Sequence, residues 1–149
     1  MNSISNSEPI YSIGVAARKV GVAVPSLRLY EKEGLICPFR TSTKRRLYSV
    51  NDLRIVQTVR RLIHEGGLNF AGIRRLMAFL PCWKIRGCNP ALYRTCTVPS
   101  ITDRPCWSSG EAVLPKCDGD CQSCPVYEMA CQIGELSILD LANVQKRRS

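Results

Sequence analysis

The chain has 149 residues and a single histidine, His64, in a stretch that reads as an ordinary helix surface. Any metal centre elsewhere would have to be built without imidazole, and no catalytic constellation is visible. Acid is also scarce, with 12 Asp and Glu against 21 Lys and Arg, a formal net charge of +9. That surplus favours a polyanion as partner, although excess Lys and Arg also serve simply as a solvated surface. No apolar run approaches the roughly 20 residues of a membrane span, and residues 1–11 are polar with Glu8 among them, unlike a secretory signal. The expected location is therefore the cytoplasm. Thiols stay reduced there, so nine cysteines are read as ligands or redox centres, and the odd number argues further against a full disulfide framework. A secreted, disulfide-stapled protein is the alternative.

What is present is unevenly divided. Eight of the nine cysteines lie between Cys82 and Cys131, and the front holds only Cys37. Residues 1–81 carry 13 basic and 5 acidic side chains, a net of +8, whereas residues 82–149 carry 8 and 7. A unit of roughly 70 residues has a marginal core unless something staples it, so the tail calls for a metal or disulfides.

Periodicity organises the front half. Ile13, Ala16, Ala17 and Val20 recur at i, i+3, i+4 and i+7, with Ser12 as a cap and Gly21 as a left-handed stop. After Val22-Ala23-Val24, Pro25 opens a second helix that runs from Ser26 to Glu33 and stops at Gly34. Two short helices with so short a link predict a helix-turn-helix, whose second helix would present Ser26, Arg28 and Tyr30 to the major groove. Pro38-Phe39-Arg40 and Arg46-Leu47-Tyr48 flank a polar, basic stretch, the pattern of a small hairpin or wing able to grip phosphate. Asn51 is read as the cap of a third helix carrying Ile55, Val59, Leu62 and Ile63. Asn69 is read as the cap of a fourth carrying Ile73, Leu76, Met77 and Leu80, which Pro81 ends.

The runs Ile13-Gly14-Val15-Ala16, Ser26 to Ile36, Arg45-Arg46-Leu47-Tyr48 and Asp52-Leu53, with Val22, Pro38 and Arg40, resemble the MerR-type winged helix-turn-helix, nearest its heat-shock repressor (HspR-like) branch. The resemblance covers roughly residues 10–80. It implies that Ser26, Arg28 and Tyr30, and Arg40, Arg45, Arg46 and Tyr48 in the wing, lie at DNA, with Arg18 as a further contact. For Tyr30 and Tyr48 the competing reading is packing between helix and wing; for Arg28 and Arg46 it is a surface ion pair. Lys44 stands where the family often has a glycine at the wing turn, and adds to the basic run. After Leu80 the long dimerising helix of many relatives is missing. Val126 to Val144 carries a partial helical stripe that either pairs between subunits or closes over the cysteine module.

In that module Cys-Trp occurs twice, at Cys82-Trp83 and Cys106-Trp107, each after proline, with Cys88, Cys96, Cys117-x3-Cys121-x2-Cys124 and Cys131. The layout resembles the two-CW segment appended to bacterial signalling proteins. Closely spaced thiolates can share one soft metal centre, so Cys82, Cys88, Cys96, Cys106, Cys117, Cys121, Cys124 and Cys131 are the candidate ligands, with Cys117, Cys121 and Cys124 foremost. Cys37 is read instead as a small buried residue, and the two tryptophans as packing that shields the site. All-sulfur coordination fits an iron-sulfur cluster, favoured as 4Fe-4S, or tetrathiolate zinc.

The fold expected is mainly α: a flexible residue 1–9 segment, a winged helix-turn-helix of four short helices and a β-hairpin at 10–81, a metal-stapled, loop-rich cysteine module at 82–131, and a C-terminal helix with basic tail at 132–149. The function expected is a cytoplasmic transcription regulator, not an enzyme, acting as a homodimer on double-stranded operator DNA with RNA polymerase at the promoter. Its tail would sense redox or oxidative signals through an iron-sulfur cluster. The alternatives are a regulator with structural zinc or a soft-metal thiolate sensor, and a small electron-transfer protein.

Overall fold

The computed structural model describes residues 3–96, 101–109 and 120–133. Helix α1 (Ile13–Val20) buries Ala16, Ala17 and Val20 and ends at Gly21, whose φ of 69° is the left-handed stop. Ser12 occupies its N-cap position, yet the side chain makes no capping hydrogen bond. Helix α2 (Val24–Lys32) begins one residue before Pro25 and buries Leu27 and Tyr30. Helices of eight and nine residues are too short to persist in water, so this pair exists because its apolar faces pack on a common core.

The wing is the expected hairpin, β2 (Phe39–Arg40) against β3 (Arg46–Tyr48), with Arg40 opposite Arg46. A strand not anticipated from sequence, β1 (Tyr11–Ser12), joins the other side of β3 to give the order β1-β3-β2. A two-residue strand whose partner lies far away in the chain carries too little pattern to be seen in a sequence, unlike the wing strands, which a short turn joins. It forms here because Tyr48 and Leu47 already lie against Tyr11 and Ser12.

Helix α3 (Val50–His64) is capped by Ser49 and not by Asn51, which lies inside the helix and is buried. The Ser49 hydroxyl accepts from the Asp52 amide at 3.1 Å while the Asp52 carboxylate accepts from the Ser49 amide at 2.7 Å. This reciprocal box satisfies two of the orphan donors of the helix start, and Asn cannot do so from the second helical position. Asn69 does cap α4 (Phe70–Ala78), accepting from Gly72 at 2.8 Å. Leu27, Leu35, Ile55, Val56, Val59, Ile73 and Met77 form the centre of the core.

The tail is less loop-like than its composition suggests. Cys82–Ile85 forms α5, Pro90–Thr95 forms α6, Cys106–Ser108 a 3₁₀ turn, Pro125–Met129 forms α7, and Ala130–Gln132 a further 3₁₀ turn. Val126, Tyr127, Ala130 and Ile133 are buried in the same core as the front half. The described part of the C-terminal stripe therefore packs against its own chain, along α3, where Thr58 donates to the Cys131 carbonyl at 2.7 Å. The rest of that stripe, and Cys117, lie outside the described residues.

Three tail residues hold the root of the wing. The Cys37 amide donates to the Tyr127 hydroxyl at 2.9 Å, and that hydroxyl in turn donates to Asp52. Gln122 donates to the Cys37 carbonyl and lies 3.4 Å from both Asp52 oxygens. Trp107 donates to the Gly34 carbonyl at 3.0 Å and stacks edge-on to Tyr127, ring centres 5.1 Å apart. Gly34 is at φ 76°, and a Cβ there would lie 2.7 Å from that of Ser108, so only glycine admits this approach.

Removing the Tyr127 hydroxyl leaves a buried Asp52 oxygen with only the longer Gln122 contact and takes the acceptor from the Cys37 amide. Tyr127→Phe is expected to lower stability by about 1–3 kcal/mol, read as a lower urea midpoint at unchanged m-value.

Candidate nucleic-acid interface and thiol sites

The second helix of the helix-turn-helix and the wing meet in a groove of about 570 Å³ lined by Ser12, Ile13, Arg28, Thr41, Thr43, Lys44, Arg45, Arg46 and Leu47. Four of the predicted contacts, Arg28, Lys44, Arg45 and Arg46, thus converge on one face although Arg28 and Lys44 are 16 positions apart. Lys44 adopts φ 63°, the left-handed region in which the family pattern places glycine. The turn keeps its shape with a lysine in it, which sets one more cation on the groove wall. Arg18 is exposed on α1 and Ser26 half-buried on α2.

The other predicted contacts are placed differently. Tyr48 is fully buried and its hydroxyl finds no hydrogen-bond partner among the described residues. Burial pushes that hydroxyl up to about 12. Tyr30 is 8% exposed and meets Phe70 edge-on at 5.9 Å. For both tyrosines the packing alternative describes the geometry: Tyr30 is buried on α2 against Phe70 of α4, and Tyr48 is buried on β3 opposite Tyr11. Arg46 and Arg40 both pair with Glu31, Arg40 at 2.7 Å. The ion-pair alternative therefore holds for Arg46, which is only partly exposed. Arg40 is about half exposed, so its pair is worth at most about 1 kcal/mol and an arriving phosphate can compete for that guanidinium. Glu31 was missed by sequence reading; its place in the last turn of α2, opposite two wing arginines, becomes evident only in the fold.

The thiols form two neighbourhoods. Cys82 on α5 is close enough to Cys96 and Cys88 for their charges to act on it, although burial is the main cause that pushes it up to about 11. Arg86, just past α5, donates to Cys124 Sγ at 3.4 Å and ties the N-cap of α7 to the same region. The second neighbourhood joins tail to wing. Cys121 lies on the same cleft wall as Cys37 and its side chain lowers the Cys37 thiol, against the opposing effects of burial and of Asp52, Glu31 and Cys106. Cys37, set aside in the sequence as a small buried residue, is half-exposed and has a cysteine partner 84 positions away. Cys131 sits apart, 3.5 Å from the Asn51 carbonyl and raised to about 11 chiefly by burial. Among the described residues no three Cys, His, Asp or Glu side chains converge tightly enough to hold a metal ion. Trp107 packs on the DNA-binding half as well as on the tail.

A short second helix, a basic wing beside it and a shared cationic groove define the class: a winged helix-turn-helix. Residues 11–80 match the MerR helix-turn-helix family of regulatory proteins. Over this segment, just under half of its length, the chain is similar to that family. It is 36% identical over 74 residues to a heat shock protein named HspR of Streptomyces coelicolor, covering 50% of this chain and 49% of the relative. It is 32% identical over 77 residues to the transcriptional regulator GlnR of Bacillus anthracis, 52% and 59% of the two chains. It is 34% identical over 94 residues to heavy metal-dependent transcription regulator 1 of Rhizobium meliloti, 62% and 61%. The chain thus spans about half to three-fifths of the length of these relatives, all of which are named as regulators or stress proteins and none as an enzyme. No helix among the described residues is long and apolar enough to cross a membrane.

Burial is the main cause raising Asp52 above its ordinary 3.8, opposed by its bonds from Ser49, Tyr127 and Gln122. The folded chain therefore holds a proton at pH values where the unfolded chain has lost it, and stability falls as pH rises through that window. Urea midpoints are expected to decline with pH from just below 3.8 upward in the wild type, and to lose that component of the slope in Asp52→Asn.

Proposed function

We propose that this protein is a transcription regulator that binds duplex operator DNA with Arg28 in the major groove and Lys44 and Arg45 of the wing on phosphate, and whose cysteine-rich tail passes a redox or soft-metal signal to that head. The observation that carries the reading is the single groove in which Arg28, Lys44, Arg45 and Arg46 stand together. Base contacts specify and phosphate contacts position, and the groove offers residues for each. Arg40 and Arg46 hold a middle role: Glu31 neutralises them in the free protein, and phosphate would take its place. Action as a homodimer in the cytoplasm, with RNA polymerase at the promoter, goes with this reading as it does for MerR-type regulators.

The sensing half rests on the sulfur-only donor set and on the way the tail is built into the head through Tyr127, Gln122 and Trp107. An iron-sulfur cluster, with zinc as the alternative, is the proposed loading. Its donors would be drawn from the neighbourhood of Cys82, Cys88, Cys96 and Cys124, which Arg86 helps gather. The regulator of Rhizobium meliloti that carries heavy-metal dependence in its name favours the soft-metal form. The described thiols do not by themselves close such a site, and no step in DNA binding is assigned to the cluster.

Fluorescence anisotropy on a fixed duplex across a salt series tests the head. Arg45→Ala is expected to reduce the slope of log affinity against log salt by about 1 and to weaken all sequences alike, whereas Arg28→Ala should also flatten the preference between operator and random duplex. Equal discrimination by wild type and Arg28→Ala would remove α2 as the reading helix. Iron, sulfide and zinc content after purification without oxygen tests the loading: iron with sulfide is expected, and stoichiometric zinc alone would make the tail structural or a thiolate switch.

A further inference from the structure

The cleft between the wing root and the tail has about 640 Å³ of space and is lined by Ile36, Cys37, Phe39, Trp107, Cys121 and Gln122 among others. It carries two thiols from opposite halves of the molecule on its wall, and both are half-exposed, so a small solute can reach them. The cleft also brings them near enough for Cys121 to act on the Cys37 thiol and lower it. Their backbones are already held in place: Gln122, next to Cys121, donates to the Cys37 carbonyl, and the Cys37 amide donates to Tyr127. The other thiol neighbourhood, at Cys82, Cys88 and Cys96, lies on α5, α6 and their flanks and, among the described residues, shows none of these hydrogen bonds to the wing root.

We propose that Cys37 and Cys121 are a redox dithiol that a small hydroperoxide closes to a disulfide, covalently fastening the tail to the root of the DNA-contacting wing. One thiolate of the pair attacks a peroxide oxygen, the O–O bond breaks, and a sulfenic acid forms with release of hydroxide, which takes up a proton. The second thiol then attacks the sulfenic sulfur, the S–S bond forms, the S–O bond breaks, and water leaves. Two thiols and one hydrogen peroxide give one disulfide and two waters, the sulfurs losing the two electrons that the peroxide gains. A dithiol reductant reverses the bond by exchange.

The bond matters because of where Cys37 sits. It precedes Pro38 and the β2 strand, whose Arg40 shares Glu31 of α2 with Arg46. In the reduced form the tail holds this root by non-covalent contacts only, hydrogen bonds and packing; in the oxidised form the wing cannot part from the tail. The link between oxidation and operator affinity rests on the DNA-binding reading above, whereas the disulfide itself does not.

The test treats the full chain, purified without oxygen, with equimolar hydrogen peroxide, blocks free thiols, and maps tryptic peptides by mass spectrometry. Residues 33–40 form a peptide with Cys37 as its one cysteine, so its partner is readable. A reducible cross-link from 33–40 to the peptide of residues 117–146, lost in Cys121→Ser but retained in Cys124→Ser, is expected. No cross-link to 33–40, a cross-link to residues 95–116 that carry Cys106, or persistence in Cys121→Ser would each overturn the pairing. Oxidation is also expected to change duplex affinity by about 5-fold or more in the wild type and not in Cys37→Ser. A cross-linked protein with unchanged affinity would overturn the switch. Failure of the reduced protein to bind any duplex would count against the DNA-binding reading, while the peptide map would still decide the dithiol.

Discussion

The structure depends on one buried carboxylate. Asp52 is fully enclosed, and an enclosed carboxylate is tolerated only if its oxygens are hydrogen-bonded. Ser49 supplies one partner from the same helix start; Tyr127 and Gln122, some 70 to 75 residues later, supply the rest. The requirement of a single acid thus obliges the tail to pack on the head. Because Tyr127 and Gln122 bond the Cys37 backbone as well, the same constraint fixes the wing root against α3. A helix cap, a wing and a cysteine-rich segment become one hydrogen-bonded unit, in which each bond polarises the next.

The DNA-facing side is organised around a second carboxylate in the opposite way. Glu31 is partly exposed and faces two arginines, so it orients Arg40 and Arg46 without burying charge. Loosely held, partly solvated pairs can be exchanged for phosphate at small cost, unlike the Asp52 network, whose dissolution would strand a charge in the core. The molecule therefore has a rigid polar joint behind the wing and an adaptable one in front of it.

Much of the front half was legible because its signals are local. The apolar periods of α1, α3 and α4, the Gly21 stop, the Asn69 cap and the two wing strands each need only a few neighbouring residues to be recognised. Errors arose where two local signals competed. Asn51 and Ser49 are both good caps, and only Asp52 in the reciprocal position decides for Ser49. Tyr30 and Tyr48 offer the same ring to core or to DNA, and the choice is made by what each packs against.

Composition, charge and spacing by themselves determined that a basic helix-turn-helix stands ahead of an all-sulfur tail, since those properties survive without knowing which residues touch. Only the tertiary structure decided that Cys37 faces Cys121, that Glu31 gathers two arginines, and that Tyr127 completes the cap of α3. Each of these joins residues that carry no periodic relation to one another; Tyr127 reaches the cap of α3 and the wing root because α7 buries its apolar face on the same core as Asp52.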